Sequence, residues 1–368
     1  MKLPQEIYHH TNAIFLAHGY VGEVLGKTVH GVLMHSTVFN TVALIDRNKA
    51  GQDTSKICPG VTKQVPIYSH IKEALPHNPK VAILMGDPSE VNMQDIEHCI
   101  HCGLDVINSS FIFLKSFPEL VKLSSKMGTK LIDLRDMKKI WKMADGSILN
   151  IKAKVVYVTG TDCGLGKRTA AYELAQEAKA RGIKAAFAAT GQTGLMIGCD
   201  AGIVMDAIVI NYIAGAIEEM IVELDNKGFE LIFLEGQASL MHFGGSSVIS
   251  LLHNSNPHAI VMVHDPNRKY HAAYGESPIF EICELQREID VIENLYLPNG
   301  NKYKVVAIPT RGEENIEKVK KLTSLPVADV RMPGGPAVLL DAVLDHLDKT
   351  YNWIPDFEMI SSEHTEQR

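Results

Sequence analysis

The stretch Gly160-Thr-Asp-Cys-Gly-Leu-Gly166 lies between the apolar run Val155–Thr159 and the polar triplet Lys167-Arg168-Thr169. A buried strand, a glycine-rich loop and a helix start, in that order, make a cradle for an anion. The glycines let successive backbone N–H groups turn inward, and the new helix adds its positive end. Lys167 supplies a mobile charge for outer phosphates. The spacing departs from the standard phosphate loop in two ways. Five residues separate Gly160 from Gly166, one more than in G-x4-G-K-[ST]. Arg168 stands where the Mg²⁺-holding hydroxyl normally stands, and Thr169 comes one position late. The residues therefore predict phosphate binding by Gly160, Thr161, Asp162, Gly164, Gly166, Lys167, Arg168 and Thr169. They do not predict Mg-dependent hydrolysis of a nucleoside triphosphate, and no metal site is expected.

Other segments carry chemistry at the expected ends of apolar runs. Thr190-Gly-Gln192-Thr193-Gly194 offers hydroxyls, an amide and glycines suited to a second anion-binding turn. Asp200 and Asp206 follow, able to position a cation or an amine, or to cap a helix. Glu235 closes the run Leu231–Leu234, the position of a Walker-B acid or a general base, with His242 and Asp206 as competing bases. Arg268, in His264-Asp-Pro-Asn-Arg268, could fork onto a carboxylate or phosphate. Near the start, Gly19-x2-Gly22-x3-Gly26-Lys27-Thr28 follows an apolar run, and Asp46 ends the next one. This resembles a dinucleotide fingerprint with irregular spacing. Lys27 is read as a substrate-side cation, with a surface turn as the plain alternative. Cys99-Ile-His101-Cys102, preceded by His98, has no second pair at zinc-site spacing, and its cysteines read as helix core positions.

Two successive α/β patterns must position these residues. The first has short apolar runs at Asn12–His18, Thr41–Asp46, Val81–Gly86, Asp105–Asn108 and Lys130–Leu134. The second has them at Lys154–Thr159, Ala185–Ala189, Leu231–Leu234, Ala259–Val263, Lys304–Ile308 and Pro326–Val330. Helical patterns fall at Asn92–Gly103, Lys167–Ala180, Ile210–Leu224 and Pro336–Leu347. Near-continuous apolar strands alternating with helices predict parallel sheets covered on both faces. The fold class is thus α/β with two doubly wound parallel-sheet domains, the second of P-loop type. The predicted limits are residues 1–150, 151–350 and a polar tail from 351 to 368, with a turn-prone boundary at Asp145–Asn150.

Composition bounds the class. At 368 residues, 46% hydrophobic and 21% charged, the chain reads as globular and long enough for two domains. A net charge of −7 offers no general attraction to nucleic acid or anionic lipid. No apolar run reaches the length of a membrane span, and the first residues lack a signal-peptide pattern. Six scattered cysteines point to a reduced, cytoplasmic enzyme acting on small molecules. The oligomeric state is left open.

The combination of Gly160–Lys167, Ala189-Thr-Gly-Gln-Thr-Gly194, Asp206-Ala207, Glu235-Gly-Gln237 and His264–Arg268 resembles the D-glutamate N-acetyltransferase family over nearly the whole chain. The sequence differs from that family's pattern at Gly86–Asn92 and at Asn108-Ser-Ser110. The resemblance implies a Rossmann-like domain joined to a P-loop domain. It also implies transfer of an acetyl group from acetyl-CoA to the amine of an acidic amino acid. In that reading Glu235 is the base, the Thr190–Gly194 amides are oxyanion donors, and Arg268 clamps the substrate carboxylate. The P-loop alone is also similar to that of dethiobiotin synthetase, which implies the alternative of an ATP- and Mg-dependent ligase or kinase. A third reading is an NAD(P)- or nucleotide-binding regulatory protein using the first domain.

Overall fold

The computed structural model describes residues 4–23, 26–58, 60–85, 93–137, 139, 141–271, 280–295 and 302–356. The segment from Gly86 to Asn92 and the end of the polar tail, residues 357–368, lie outside them. By their internal contacts the residues form two units. The first comprises residues 1–140 and 191–208, the second residues 141–190 and 209–368.

In chain order the first unit holds β1 (Thr11–Leu16), α1 (Lys27–His35), β2 (Phe39–Ile45), α2 (Thr54–Ile57), β3 (Ile67–Tyr68), α3 (Ile71–Ala74), β4 (Val81–Leu84), α4 (Met93–His101), β5 (Asp105–Asn108), α5 (Pro118–Met127) and β6 (Leu131–Asp133). Its sheet runs β3-β2-β1-β4-β5-β6, and the paired strands are parallel. This is the dinucleotide-fold order, in which the strand sequence reverses between β1 and β4. Ile14 and Leu16 of β1, Ala82 and Leu84 of β4, Val106 of β5 and Ile96, Cys99 and Ile100 of α4 share one buried cluster. Cys99 is therefore a core residue, its thiol pushed up by burial, while His101 and Cys102 are exposed. Helix α5 begins with Pro118, whose missing N–H is not needed in a first turn, and ends at Gly128 with φ 70°.

The second unit opens with β7 (Lys154–Gly160), α6 (Lys167–Ala180) and β8 (Ala185–Ala189). The excursion into the first unit then carries α7 (Gln192–Ile197) and β9 (Ala201–Gly202). The second unit resumes with α8 (Ile213–Asn226), β10 (Leu231–Glu235), α9 (Ser246–Asn254), β11 (Ala259–Val263), α10 (Leu285–Glu293), β12 (Val305–Pro309), α11 (Glu313–Lys320), β13 (Val327–Ala328) and α12 (Gly335–Tyr351). Its strands follow the order β13-β12-β11-β7-β10-β8, paired in parallel. β8, β10, β11 and β12 are buried at every position, as expected for a parallel sheet covered on both faces. Ala170, Leu174 and Ala178 form the buried stripe of α6. No helix among the described residues is long and apolar enough to cross a membrane.

Three sequence expectations change. The turn expected at Thr190–Gly194 winds into helix α7 from Gln192, after an extended Gly191. The helix expected from Ile210 starts at Ile213, behind a 3₁₀ turn over Ile210–Tyr212. The tighter 3₁₀ winding shifts the phase of the stripe, and Ile210 is left 71% exposed. Strand β3 was not expected, because two residues, Ile67 and Tyr68, carry no periodicity to detect.

Candidate functional site

The phosphate loop leaves the centre of the second sheet, since β7 pairs with β10 on one side and β11 on the other. Close approach fixes Gly160: a Cβ there would lie 2.8 Å from Val263 O and 3.3 Å from Lys167 Cγ. The loop stays in register with β11 through Thr161 N–H donating to Val263 O at 3.0 Å. Gly164 and Gly166 have φ of 69° and 105°, and nothing lies within 4 Å of where their Cβ atoms would be. Their backbone is thus left-handed and faces open space, the condition for N–H groups to meet a ligand. Gly166 caps α6, so the helix's positive end opens at the same place.

Lys167 is buried, with Nζ donating to Asp162 O at 2.5 Å. Thr169 is buried one turn position later, and Arg168 is half-buried. Burial pushes the Arg168 guanidinium down, and the neighbouring Glu235 carboxylate opposes that shift. Glu235, 7% exposed at the end of β10, accepts the Thr190 N–H at 3.1 Å. Its backbone oxygen accepts the Thr190 hydroxyl at 3.0 Å, and Gln237 Nε2 donates to the same hydroxyl at 2.7 Å. Thr190 and Glu235 thereby tie the ends of β8 and β10 together.

Asp162 is the hub of the site. It is fully buried, and Arg268 Nη1 donates to its Oδ2 at 2.8 Å and to Cys163 O at 2.6 Å. His271 Nδ1 lies 3.0 Å from Asp162 Oδ1, and His242 Nε2 lies 3.7 Å from the same oxygen. His242 and His271 meet edge to face with centroids 4.9 Å apart. Phe243 stacks between His242 and Phe280, at 4.5 and 4.6 Å. His264 Nδ1 is hydrogen-bonded to the Thr161 hydroxyl at 2.9 Å, and burial pushes its pKa down to about 4. Beneath the loop that follows β10, Glu288 of α10 is fully buried. Burial raises its carboxyl to about 7, against stabilising contacts with the Met241 and Leu240 backbone, Lys167 and Ser239.

Asp162, Cys163 and His242 bring ligand atoms within 4.8 Å of one another. The carboxylate of this set is already engaged on both oxygens, by Arg268 at Oδ2 and by His271 at Oδ1.

The structure brings Gly160, Thr161, Asp162, Gly164, Gly166, Lys167, Arg168, Thr169, Thr190, Glu235, His242 and Arg268 into the second unit. Gln192, Thr193, Asp206 and Lys27 belong to the first unit. There Thr193 Oγ1 lies 2.8 Å from Thr28 Oγ1, and Asp206 pairs with Arg135, whose guanidinium sits 3.8 Å over the Phe111 ring. Lys27 starts α1. Two site residues escaped the sequence reading, His271 and Glu288. Neither sits in a motif, and only the fold places His271 beside a residue 109 positions away.

Residues 142–339 match the P-loop domain of the family described as DUF1611, a domain of unknown function. Residues 47–137 match the Rossmann-like domain of the same family. The chain belongs to the DUF1611 family. A crystal structure of a family member from Anabaena variabilis ATCC 29413 superposes with a TM-score of 0.82 at 30% identity, covering 91% of this chain and 99% of that one. A D-glutamate N-acetyltransferase from Tritonibacter scottomollicae is 32% identical over 236 residues, 62% of this chain and 68% of the relative. A D-glutamate N-acetyltransferase from a Pseudoalteromonas species is 34% identical over 177 residues. That match spans 48% of this chain and only about half, 52%, of the relative.

Proposed function

We propose that this chain is a cytoplasmic N-acetyltransferase moving the acetyl group of acetyl-CoA to the amine of an acidic amino acid, with D-glutamate as the first acceptor to test. The observation that carries the reading is a P-loop built to hold phosphate without the hydroxyl that hydrolysis uses. Its open glycines and Lys167 suit the pyrophosphate of coenzyme A, while the half-buried Arg168 occupies the Mg²⁺-ligand position. Two relatives named as D-glutamate N-acetyltransferases supply the reaction class. All six cysteines are free thiols, in keeping with a reducing compartment.

The test is release of coenzyme A thiol from acetyl-CoA in the presence of D-glutamate, L-glutamate, D-aspartate or L-aspartate, with and without EDTA. Turnover with at least one acceptor is expected, unchanged by the chelator. Turnover that needs ATP and Mg²⁺ and releases ADP would overturn the reading in favour of a ligase or kinase.

A further inference from the structure

Transfer to an amine needs a group that removes a proton as the C–N bond forms. Glu235, His242 and His271 of the second unit are candidates for that task, and their hydrogen bonds separate them. Glu235 accepts the Thr190 N–H and faces Arg168, so it serves as a fixed acceptor between two strand ends. His242 Nδ1 accepts the Gly244 N–H at 2.9 Å. Its proton must then sit on Nε2, the nitrogen turned toward Asp162 Oδ1 at 3.7 Å. Neither nitrogen of His242 is left to take a proton.

His271 has the opposite arrangement. Its Nδ1 lies 3.0 Å from Asp162 Oδ1. The Asp162 carboxylate is paired with the Arg268 guanidinium at 2.8 Å, and a carboxylate only accepts. Nδ1 therefore carries the proton, and the Nε2 lone pair is the basic one. A buried acid that fixes the tautomer of a histidine and stabilises its imidazolium is the arrangement that makes histidine an effective base. Here the acid belongs to the phosphate loop itself, so the base is held in fixed relation to the coenzyme.

We infer that His271, oriented by Asp162, is the general base of the acetyl transfer; this rests on the acetyltransferase reading above. The acceptor ammonium gives one proton to solvent and becomes an amine. Its nitrogen attacks the thioester carbonyl carbon, the C–N bond forms, and the C–S bond breaks. The second amine proton passes to His271 Nε2 and then to the departing thiolate. The products are the N-acetyl amino acid, coenzyme A thiol and one proton released to solvent.

His271→Asn retains a donor to Asp162 and removes the base. We expect kcat to fall roughly 10²–10⁴-fold, with acetyl-CoA affinity within about twofold of wild type, the same melting temperature, and partial rescue of His271→Ala by added imidazole. The charged or titratable groups about His271 are Asp162 from the phosphate loop, His242 from the loop after β10, and Arg268 and Lys167 through Asp162. Should His271→Asn fail to fold, His271→Gln, which also keeps an amide donor and lacks the base, takes its place, and wild-type kcat in that folded variant overturns the assignment. Wild-type kcat in a folded His271→Asn variant overturns it as well. Absence of turnover by the wild type with every acceptor removes the acetyltransferase reading, and the role of His271 with it.

Discussion

Each unit contains a strand, a glycine-bearing loop and a helix, yet the two loops are built for different ends. In the first unit a Cβ on Gly22 would meet Ile57 O at 2.8 Å, and one on Gly26 would meet Tyr20 O at 2.0 Å. The loop's own amides are also taken: Val21 N–H donates to Asp46 Oδ2 at 3.3 Å, and Gly22 N–H to His30 Nε2 at 3.2 Å. In the second unit Gly164 and Gly166 look onto open space. Gly22 and Gly26 make room for the protein's own backbone, while Gly164 and Gly166 leave room for something that is not protein. Glycine spacing alone does not separate these cases. What occupies the missing side chain's place does.

The acids near the two loops differ in the same sense. Asp46 is fully buried and satisfied, accepting from both Val21 and Asn48. Glu288 is equally buried, but its Oε1 has no hydrogen-bond partner. One acid holds its loop shut, and the other is carried at a cost.

The largest effect that would sharpen this contrast is on folding. Gly26→Ala forces a methyl group against a backbone carbonyl and should destabilise by about 3 kcal/mol. Gly164→Ala meets only the strain of its left-handed φ and should cost about 1 kcal/mol, while weakening coenzyme binding. Urea denaturation of both variants, with titration of acetyl-CoA, checks the pair, and equal stability losses would break the comparison.

Next comes the pH dependence set by Glu288. Its carboxyl is raised from 4.5 to about 7 in the folded state. The stability it contributes is therefore present below pH 4.5 and lost as pH rises through about 7. Glu288→Gln should match wild type near pH 4.5 and exceed it at pH 8 by up to about 3 kcal/mol. A variant no more stable than wild type at pH 8 would contradict the raised carboxyl of this buried acid.

The smallest effect expected is on binding. Lys167→Ala should weaken acetyl-CoA roughly 10- to 100-fold, the value of one charged hydrogen bond, with little change in melting temperature. Isothermal titration giving unchanged affinity would remove Lys167 from the phosphate site.

The alternation of strands and helices was legible because buried parallel strands such as Ala259–Val263 are apolar throughout, and α6 repeats its buried residues at helical spacing. The phosphate loop was legible because its backbone requirements are written in adjacent glycines. The Asp162–His271 pair was not, since its partners meet only across the folded sheet edge. Glu288 escaped because an acid in the amphipathic helix Leu285–Glu293 looks like a solvated residue until packing buries it. Gln192 and Thr193 carried turn-like composition, and the buried Leu195, Met196 and Ile197 overrode it in favour of a helix.

The excursion of residues 191–208 has a consequence for how such a gene can be cut and recombined. The chain enters and leaves the first unit's territory more than once. In the first unit Ser36 Oγ donates to Met196 O at 2.8 Å and Thr37 N–H to Ile197 O at 3.0 Å. A fragment ending near residue 150 would lack these partners and the fully buried side chains of Leu195, Met196 and Ile197. The two halves are therefore not interchangeable cassettes. Recombination that swaps one without the other should yield insoluble chains.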